Sequence, residues 1–390
     1  MKILFISLLS GLGNPTGKMG MSGGDRIHIN LIKQTNNSIK YTILTTPNGK
    51  KLYEHNGIHA DFIIYNFFEK KHFSYDLLRI YICSLFDINK ILKDIPHVKF
   101  DYIISQSDFL PDFIPSYNLT KRLNSKLIFS FFLKAPSPFS KNNPYKKIRF
   151  IFGLLYFIIQ KIVLKIINLK FNSSNLKILL ASDVAEKYFK DYFNKLVIYG
   201  GVEKVIYNNK NLFDKYEFDA VFLGRLHDQK GALELIEIWK NVISINKNLK
   251  LAVIGNGPHE KKMIALSKKY HIYNSIKFFG FLDGEDKYKI FNKSKVFLHT
   301  PIYDTGGMAL AEAMSVGLPG IMFDLEGYNY CYKKGVIKIE PKNYKAFANE
   351  FVKLINSASI YENLSRQAIE NSKDWLWSLI AKKYLSFIKI

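Results

Sequence analysis

The chain has 390 residues, 48% of them apolar, and carries 56 Lys and Arg against 33 Asp and Glu, a formal net charge of +23. That length exceeds one typical core and predicts two domains of roughly 150 to 200 residues, which the apolar fraction is enough to fill. The two cysteines, Cys83 and Cys331, lie far apart without metal-like spacing, which makes free thiols in a reducing compartment the default reading.

In chain order, Ile3 to Leu8 reads as a buried first strand, because the apolar run of MKILFISLLSGLGNP is brief for a signal peptide and breaks at Gly11. The glycine-rich loop Ser10 to Gly24 then enters an amphipathic helix, SGGDRIHINLIKQ, a junction suited to close backbone approach to a phosphate or sugar. Further strands are read at Tyr41 to Thr46, Asp61 to Tyr65, Asp101 to Ser105, Lys126 to Phe132, Lys177 to Ser182, Ala220 to Leu223, Leu251 to Ile254, Ile276 to Phe279, Val296 to His299 and Gly320 to Phe323. Helix-length segments separate most of them, which predicts α/β with parallel sheets. No internal repeat or low-complexity tract interrupts the pattern.

Two constellations in the second half carry chemistry. VFLGRLHDQKGALELIEIW puts Arg225 straight after a strand and Lys230 just before a helix that begins near Gly231. A planar fork and a compact charge at such a crossing suit a diphosphate and can neutralise a leaving group, although two solvated surface cations would read the same way. In TPIYDTGGMALAEAMSVGLPGIMFD, Glu312 is the only charge between Asp304 and Asp324, inside a mostly apolar helix. A carboxylate there needs a partner, either a ligand's hydroxyl pair or a buried Lys or Arg. Gly306 and Gly307 open that helix and expose its N–H groups; Gly317 and Pro319 end it.

The spacing from Asp304 to Glu312, followed by Ala-Met and Gly-x-Pro, resembles the acidic signature of retaining family 4 glycosyltransferases, also called glycosyltransferase group 1. The resemblance covers nearly all of Asp219 to Leu354 and reaches Trp377 and Tyr384 in a closing helix. It implies two Rossmann-like domains facing a cleft, the GT-B fold, with the C-terminal helix crossing back to the first domain. The implied boundaries are 1–205 for acceptor binding, 206–372 for nucleotide-sugar binding and 373–390 for the returning helix. By resemblance, Asp304, where the family normally has Glu, holds a hydroxyl of the donor sugar, and Glu312 holds the ribose. Gly224, Arg225, Leu226, Lys230 and Gly231 match the diphosphate clamp; Gly255, Asn256 and Gly257 match the turn beside the nucleotide. Gly280, Phe281 and Leu282 would wall the base, and Gly23, Gly24 and Arg26 match the family's N-terminal loop, with Asp25 at or near its acid. One family residue is missing: IFSFFLKAPSP has Phe131, Phe132 and Leu133 and no histidine, which leaves a backbone contact, a histidine from elsewhere such as His28, or weakened activity.

The implied reaction is metal-independent, retaining transfer from a nucleoside diphosphate sugar, with no cofactor and with Asp304, Arg225 and Lys230 as its catalytic residues. No Asp-x-Asp metal motif is present, and no convincing pair of carboxylates for a glycosidase, which needs them about 5 to 9 Å apart. The alternatives are an epimerase or phosphorylase of the same architecture, or an inactive homologue that binds a sugar nucleotide or lipid.

Charge speaks to the acceptor. The 70 residues between Asp112 and Asp183 hold 12 Lys or Arg and no acid. Within them, FIFGLLYFIIQKIVLKIINLK places Lys161 and Lys165 one helical turn apart, and its unbroken apolar run, Phe150 to Ile159, is ten residues, half of the roughly 20 that span a bilayer. The segment either lies on a membrane or is a buried helix whose lysines reach solvent. The first alternative makes Lys146, Lys147, Arg149, Lys161 and Lys165 acceptor or membrane contacts. It also places the chain at the cytoplasmic face of a membrane, on an anionic surface, with a lipid-linked or other glycan acceptor. No helix-turn-helix, RRM or zinc pattern accompanies the charge, so no nucleic-acid partner is expected.

Overall fold

The computed structural model describes residues 1–11, 21–66, 79–83, 95, 98–139, 149–204 and 216–389. The chain divides into two compact units, Met1–Ile198 with Ile380–Ile390, and Tyr199–Leu379.

Unit 1 is built on a sheet of seven strands: β1 (Lys2–Ser7), β2 (Lys40–Thr45), β3 (Asp61–Ile64), β4 (Tyr102–Ser105), β5 (Lys126–Phe131), β6 (Leu176–Leu180) and β7 (Lys195–Val197). Their order is β3-β2-β1-β4-β5-β6-β7, and β1 runs parallel to both neighbours, with Ile3 opposite Tyr41 on one side and Tyr102 on the other. Ile3 through Ile6, Leu127 through Phe129 and Ile178 through Leu180 are all buried, as expected of parallel strands covered on both faces. The helices described are α1 (Gly23–Thr35), α2 (Pro47–His55), α3 (Leu110–Arg122) and α4 (Arg149–Lys170). Ser22 caps α1: its hydroxyl accepts the Asp25 N–H at 3.0 Å and donates to the Asp25 carboxylate at 2.7 Å. Helix α4 is the crossover between β5 and β6.

Unit 2 repeats the scheme with β8 (Phe218–Leu223), β9 (Leu251–Ile254), β10 (Ile276–Gly280), β11 (Ser294–His299), β12 (Gly320–Phe323) and β13 (Val336–Ile339), in the order β10-β9-β8-β11-β12-β13. Its helices are α5 (Ala232–Ile245), α6 (Glu260–Lys269), α7 (Gly284–Asn292), α8 (Met308–Ser315), α9 (Tyr344–Ile355) and α10 (Ala358–Ser372). Trp239 of α5, against Phe351 of α9, anchors one face of its core.

All eleven strands read from the sequence are present. Two others, β7 and β13, were not read. Each is short, three and four residues, and sits at a sheet edge. The units part at Ile198, a little before residue 205, because Val202 joins unit 2: its N–H donates to the Trp375 carbonyl and its carbonyl accepts the Trp377 N–H. The last helix, α11 (Trp377–Lys389), enters unit 1 at Ile380, where the Lys177 ammonium donates to the Phe387 carbonyl at 2.7 Å.

Candidate functional site

In each sheet the strand order reverses once, between β1 and β4 in unit 1 and between β8 and β11 in unit 2. Open α/β sheets bind ligands beyond the carboxyl ends of strands at such a point. In unit 2 the loops beyond β8 and β11 carry Gly224, Arg225, Lys230, Asp304, Gly306 and Gly307. The loop after β9 joins them. Leu226 donates its N–H to the Asn256 carbonyl at 2.9 Å, and Gly255 donates to the Gly280 carbonyl at 2.7 Å, so the Gly224–Leu226 and Gly255–Gly257 turns lie side by side. Phe281 and Leu282 follow directly on β10 and are half-buried.

The clamp is fastened at its helix end. Gly231 has φ of 65°, and any side chain there would collide with the Thr300 carbonyl, so only glycine lets α5 start this close to the end of β11. The Thr300 hydroxyl lies 3.2 Å from the Lys230 carbonyl and 3.1 Å from that of Gly231. Lys230 thereby reaches Asp304 across 74 residues of sequence, with Nζ to Oδ2 at 2.7 Å. The lysine side chain is 32% exposed and the aspartate 10%. Burial alone would raise the Asp304 pKa, but the Lys230 charge and the Thr305 N–H, donating at 2.9 Å, hold it below the ordinary carboxylate value. Arg225 is exposed, and its guanidinium meets no partner among the described residues.

Beneath the turn lies a buried aromatic platform. The His299 ring is 2.8 Å from the Tyr328 hydroxyl, and the Tyr332 hydroxyl donates to the carbonyls of Gly306 and Gly307 at 3.0 and 2.8 Å. Burial lowers the His299 pKa to about 3, so this histidine is neutral. Gly307, φ 57°, is the N-cap of α8, and a Cβ on it would press on the Tyr332 hydroxyl and the His299 ring. The first N–H groups of α8, a partial positive charge, follow directly on the loop whose Asp304 holds Lys230. Leu318 N–H to the Ala313 carbonyl and Gly317 N–H to that of Met314 close the helix in a Schellman motif.

Glu312 departs from the simplest expectation. Its carboxylate is buried against the Lys287 ammonium at 2.9 Å, and Lys287 also reaches Asp283 at 3.1 Å. An ion pair thus lets α8 tolerate the acid without a ligand, and burial by itself is no sign of a ribose. Lys287 is the residue the sequence reading missed. Its signal was faint: a lysine four residues after Asp283, on a helix whose other lysine, Lys289, is exposed.

The remaining expected residues fall in unit 1. Gly23 and Gly24 open α1, and a Cβ on Gly24 would stand 3.2 Å from the ring of Phe132. Asp25 is held by the hydroxyls of Ser10 and Ser22 and the amide of Gln106 at this sheet's own reversal point. His28 does not replace the missing histidine as a charged or free group. It is buried between the rings of Phe5 and Phe132, its Nε2 is 3.1 Å from the Ser130 hydroxyl, and burial lowers its pKa to about 3. Asp108 and Asp112, also buried here, are pushed up to about 6 and about 7. Lys161 and Lys165 are exposed on α4; Lys146, Lys147 and the Arg149 side chain lie outside the described residues.

Residues 203–375 match the family described as Glycosyl transferases group 1. Among curated proteins, the chain is 29% identical over 182 residues to the amylovoran biosynthesis glycosyltransferase AmsD of Erwinia amylovora, covering 45% of this chain and 51% of that one. It is 27% identical over 205 residues to the capsular polysaccharide biosynthesis glycosyltransferase CapM of Staphylococcus aureus, covering 48% and 52%. The chain spans about half the length of the curated relatives it matches. Among solved structures, S. aureus TarM, crystallised with UDP, superposes with a TM-score of 0.73 at 13% identity over 100% of both chains. The fold is that of the GT-B glycosyltransferases.

Proposed function

We propose that the chain, whose residues 203–375 match the family described as Glycosyl transferases group 1, is a retaining glycosyltransferase that moves a sugar from a nucleoside diphosphate sugar to a hydroxyl. The observation that carries this reading is the convergence of Arg225, Lys230, Asp304 and the α8 N-terminus at the reversal point of the unit 2 sheet.

Each group has a task there. Arg225 offers a fork to the diphosphate and Lys230 a point charge, with the α8 N–H groups as a third donor set. The bond from the anomeric carbon to the phosphate oxygen breaks as the acceptor oxygen bonds to the same face, and the departing phosphate takes the acceptor's proton. Charge then builds on the phosphate, where the two cations stabilise it more than they did in the bound donor. They do so without a metal ion. As the diphosphate draws Lys230 away, Asp304 turns its carboxylate to a sugar hydroxyl. Glu312 holds the ribose hydroxyls from beside Lys287, and the Gly255–Gly257 turn with Phe281 and Leu282 flanks the nucleoside.

Unit 1 takes the acceptor, a lipid-linked or other membrane-held glycan, at the cytoplasmic membrane face. The acid-free segment with its 12 basic residues supports that assignment, as do the polysaccharide-building names of AmsD and CapM. A thermal-shift panel of nucleoside diphosphate sugars, followed by NMR of the sugar released from each stabilising donor, tests the reading. We expect one donor class to stabilise the chain and its hydrolysis to keep the anomeric configuration. Stabilisation by none would overturn the transfer; an inverted product would overturn retention.

A further inference from the structure

Helix α4 is long and apolar enough, by length and composition alone, to cross a bilayer, more than its ten-residue unbroken run suggested. Its inner face argues against crossing. Val163 and Ile167 are buried in the core of unit 1. Gln160 donates to the Asp108 carboxylate at 2.8 Å and the Leu133 carbonyl at 2.9 Å, and accepts the Ala135 N–H at 2.8 Å. Both flanking strands lie in one sheet, so withdrawing α4 into a bilayer would dismantle unit 1.

Its outer face is another matter. Ile151, Phe152, Leu155, Ile158, Ile162 and Leu169 are each at least 44% exposed. At 1.5 Å per residue they form a row about 27 Å long. A further phenylalanine stands near each end. Phe139, 75% exposed, has its ring 6.2 Å from that of Phe150. Phe193, 89% exposed, follows Tyr192, whose hydroxyl donates to the Ile167 carbonyl at 3.0 Å. Among the described residues the four most exposed large apolar side chains, Phe193, Phe139, Leu169 and Phe152, all lie on α4 or near one of its ends. An apolar face of that extent marks a docking site.

Charge selects the occupant. Lys161 and Lys165 stand exposed beside the row, in a segment without a single acid. A second copy docking by the same face would bring this basic segment against itself. An anionic lipid surface complements it, since lysine stems can lie along the apolar row while their ammonium groups reach the headgroups.

We propose that the outer face of α4, with Phe139 and Phe193, inserts into the headgroup and acyl boundary of an anionic bilayer, the helix axis lying in the membrane plane. This rests on the membrane-held acceptor of the reading above and names its surface and orientation. Tyr156 and Gln160, near the middle of α4, hold the helix to the Leu133 carbonyl just beyond the carboxyl end of β5, so the docked face runs past the carboxyl ends of the strands, where a sheet of this kind binds its ligand.

Flotation of the full chain with vesicles of phosphatidylcholine alone, and of equal parts phosphatidylcholine and phosphatidylglycerol, tests it. We expect binding to the anionic vesicles. Phe152→Ser with Phe193→Ser should weaken it at least about tenfold, because both exposed side chains lose their apolar transfer. Lys161→Gln with Lys165→Gln should weaken it about fivefold per residue, in a salt-dependent way. Phe193→Trp should be quenched by lipids brominated near the headgroup. Thermal shifts with donor, measured without vesicles, should match the parent throughout, so a failed docking surface and a failed transferase reading give different results. Unchanged flotation of the phenylalanine variant, absence of flotation on anionic vesicles, or a dimer in light scattering that the phenylalanine variant dissolves would each overturn the proposal.

Discussion

Lys230 and Asp304 hold each other at 2.7 Å, and the two ends of this pair are unequally buried, 32% and 10% exposed. Their removal should therefore have unequal consequences. Lys230→Met leaves the Asp304 carboxylate beside a neutral His299 with the Thr305 N–H but without its counter-charge. Stranding a fully buried charge costs about 3 to 5 kcal/mol. Solvent reaches the lysine side, so about 2 kcal/mol is the fitting estimate, a fall of about 4 to 8 °C in the melting temperature of a unit this size. Asp304→Asn keeps the shape and frees an ammonium that can reach water, and it should cost less than about 1 kcal/mol. Ligand binding should reverse the asymmetry. Free nucleoside diphosphate has only to compete with Asp304 for Lys230, so Asp304→Asn should bind it as tightly as the parent or more so, while Lys230→Met binds it about tenfold more weakly. Turnover should fall about 100-fold or more in both, near 2.7 kcal/mol of lost transition-state stabilisation. Calorimetry of unfolding and of nucleoside diphosphate binding, with turnover, measures all three. If Asp304→Asn weakened diphosphate binding as much as Lys230→Met, or if the two melted alike, the idea that the diphosphate takes Lys230 from Asp304 would be refuted.

Arg225→Ala removes an exposed side chain that meets no partner among the described residues. It should leave stability within about 0.5 kcal/mol while turnover drops about 100-fold; near-parental turnover would remove Arg225 from the clamp. Lys287→Met removes the ammonium that Glu312 and Asp283 share and should destabilise by about 3 kcal/mol. Glu312→Gln, which leaves Lys287 with Asp283, should do far less and should weaken free nucleoside diphosphate and sugar nucleotide alike; titration calorimetry showing neither ligand affected would remove the ribose role. Acid should affect the units differently. In unit 2, folded His299 resists protonation down to about 3 against an ordinary 6.5, so its stabilisation is present above about 6.5 and is lost as pH falls towards about 3. Asp304, held low, adds a loss on the acid side as pH falls through its folded value. In unit 1, His28 acts in the same sense, but Asp108 and Asp112, raised to about 6 and about 7, bind protons more readily folded than unfolded and offset it as pH falls towards their ordinary 3.8. Hydrogen exchange between pH 7 and 5 should therefore show protection falling in unit 2 relative to unit 1; equal loss in both would contradict this balance.

Local structure that sits in one short stretch was legible in the sequence alone. A strand, a glycine and a cation within a few residues of a helix start define a turn wherever they occur, so the turn from Gly224 to Gly231 could be read before any fold was known, while solvated cations there would have read the same way. The spacing of Asp304, Gly307 and Glu312 likewise puts one acid outside a helix and the other one turn within it. The parallel strands were visible because burial on both faces makes them continuous apolar runs, whereas the short edge strands β7 and β13, three and four residues long, were missed. Pairings over long separations were not legible. Which lysine among 56 basic residues meets Asp304 or Glu312 depends on how strands order themselves in the sheet and on which loops then share an end. Nor could composition say which side of α4 faces water. A helix apolar nearly all round looks like core from every direction, and only its docking onto β5 and β6, through Gln160, Val163 and Ile167, decides that the row from Ile151 to Leu169 is left outside.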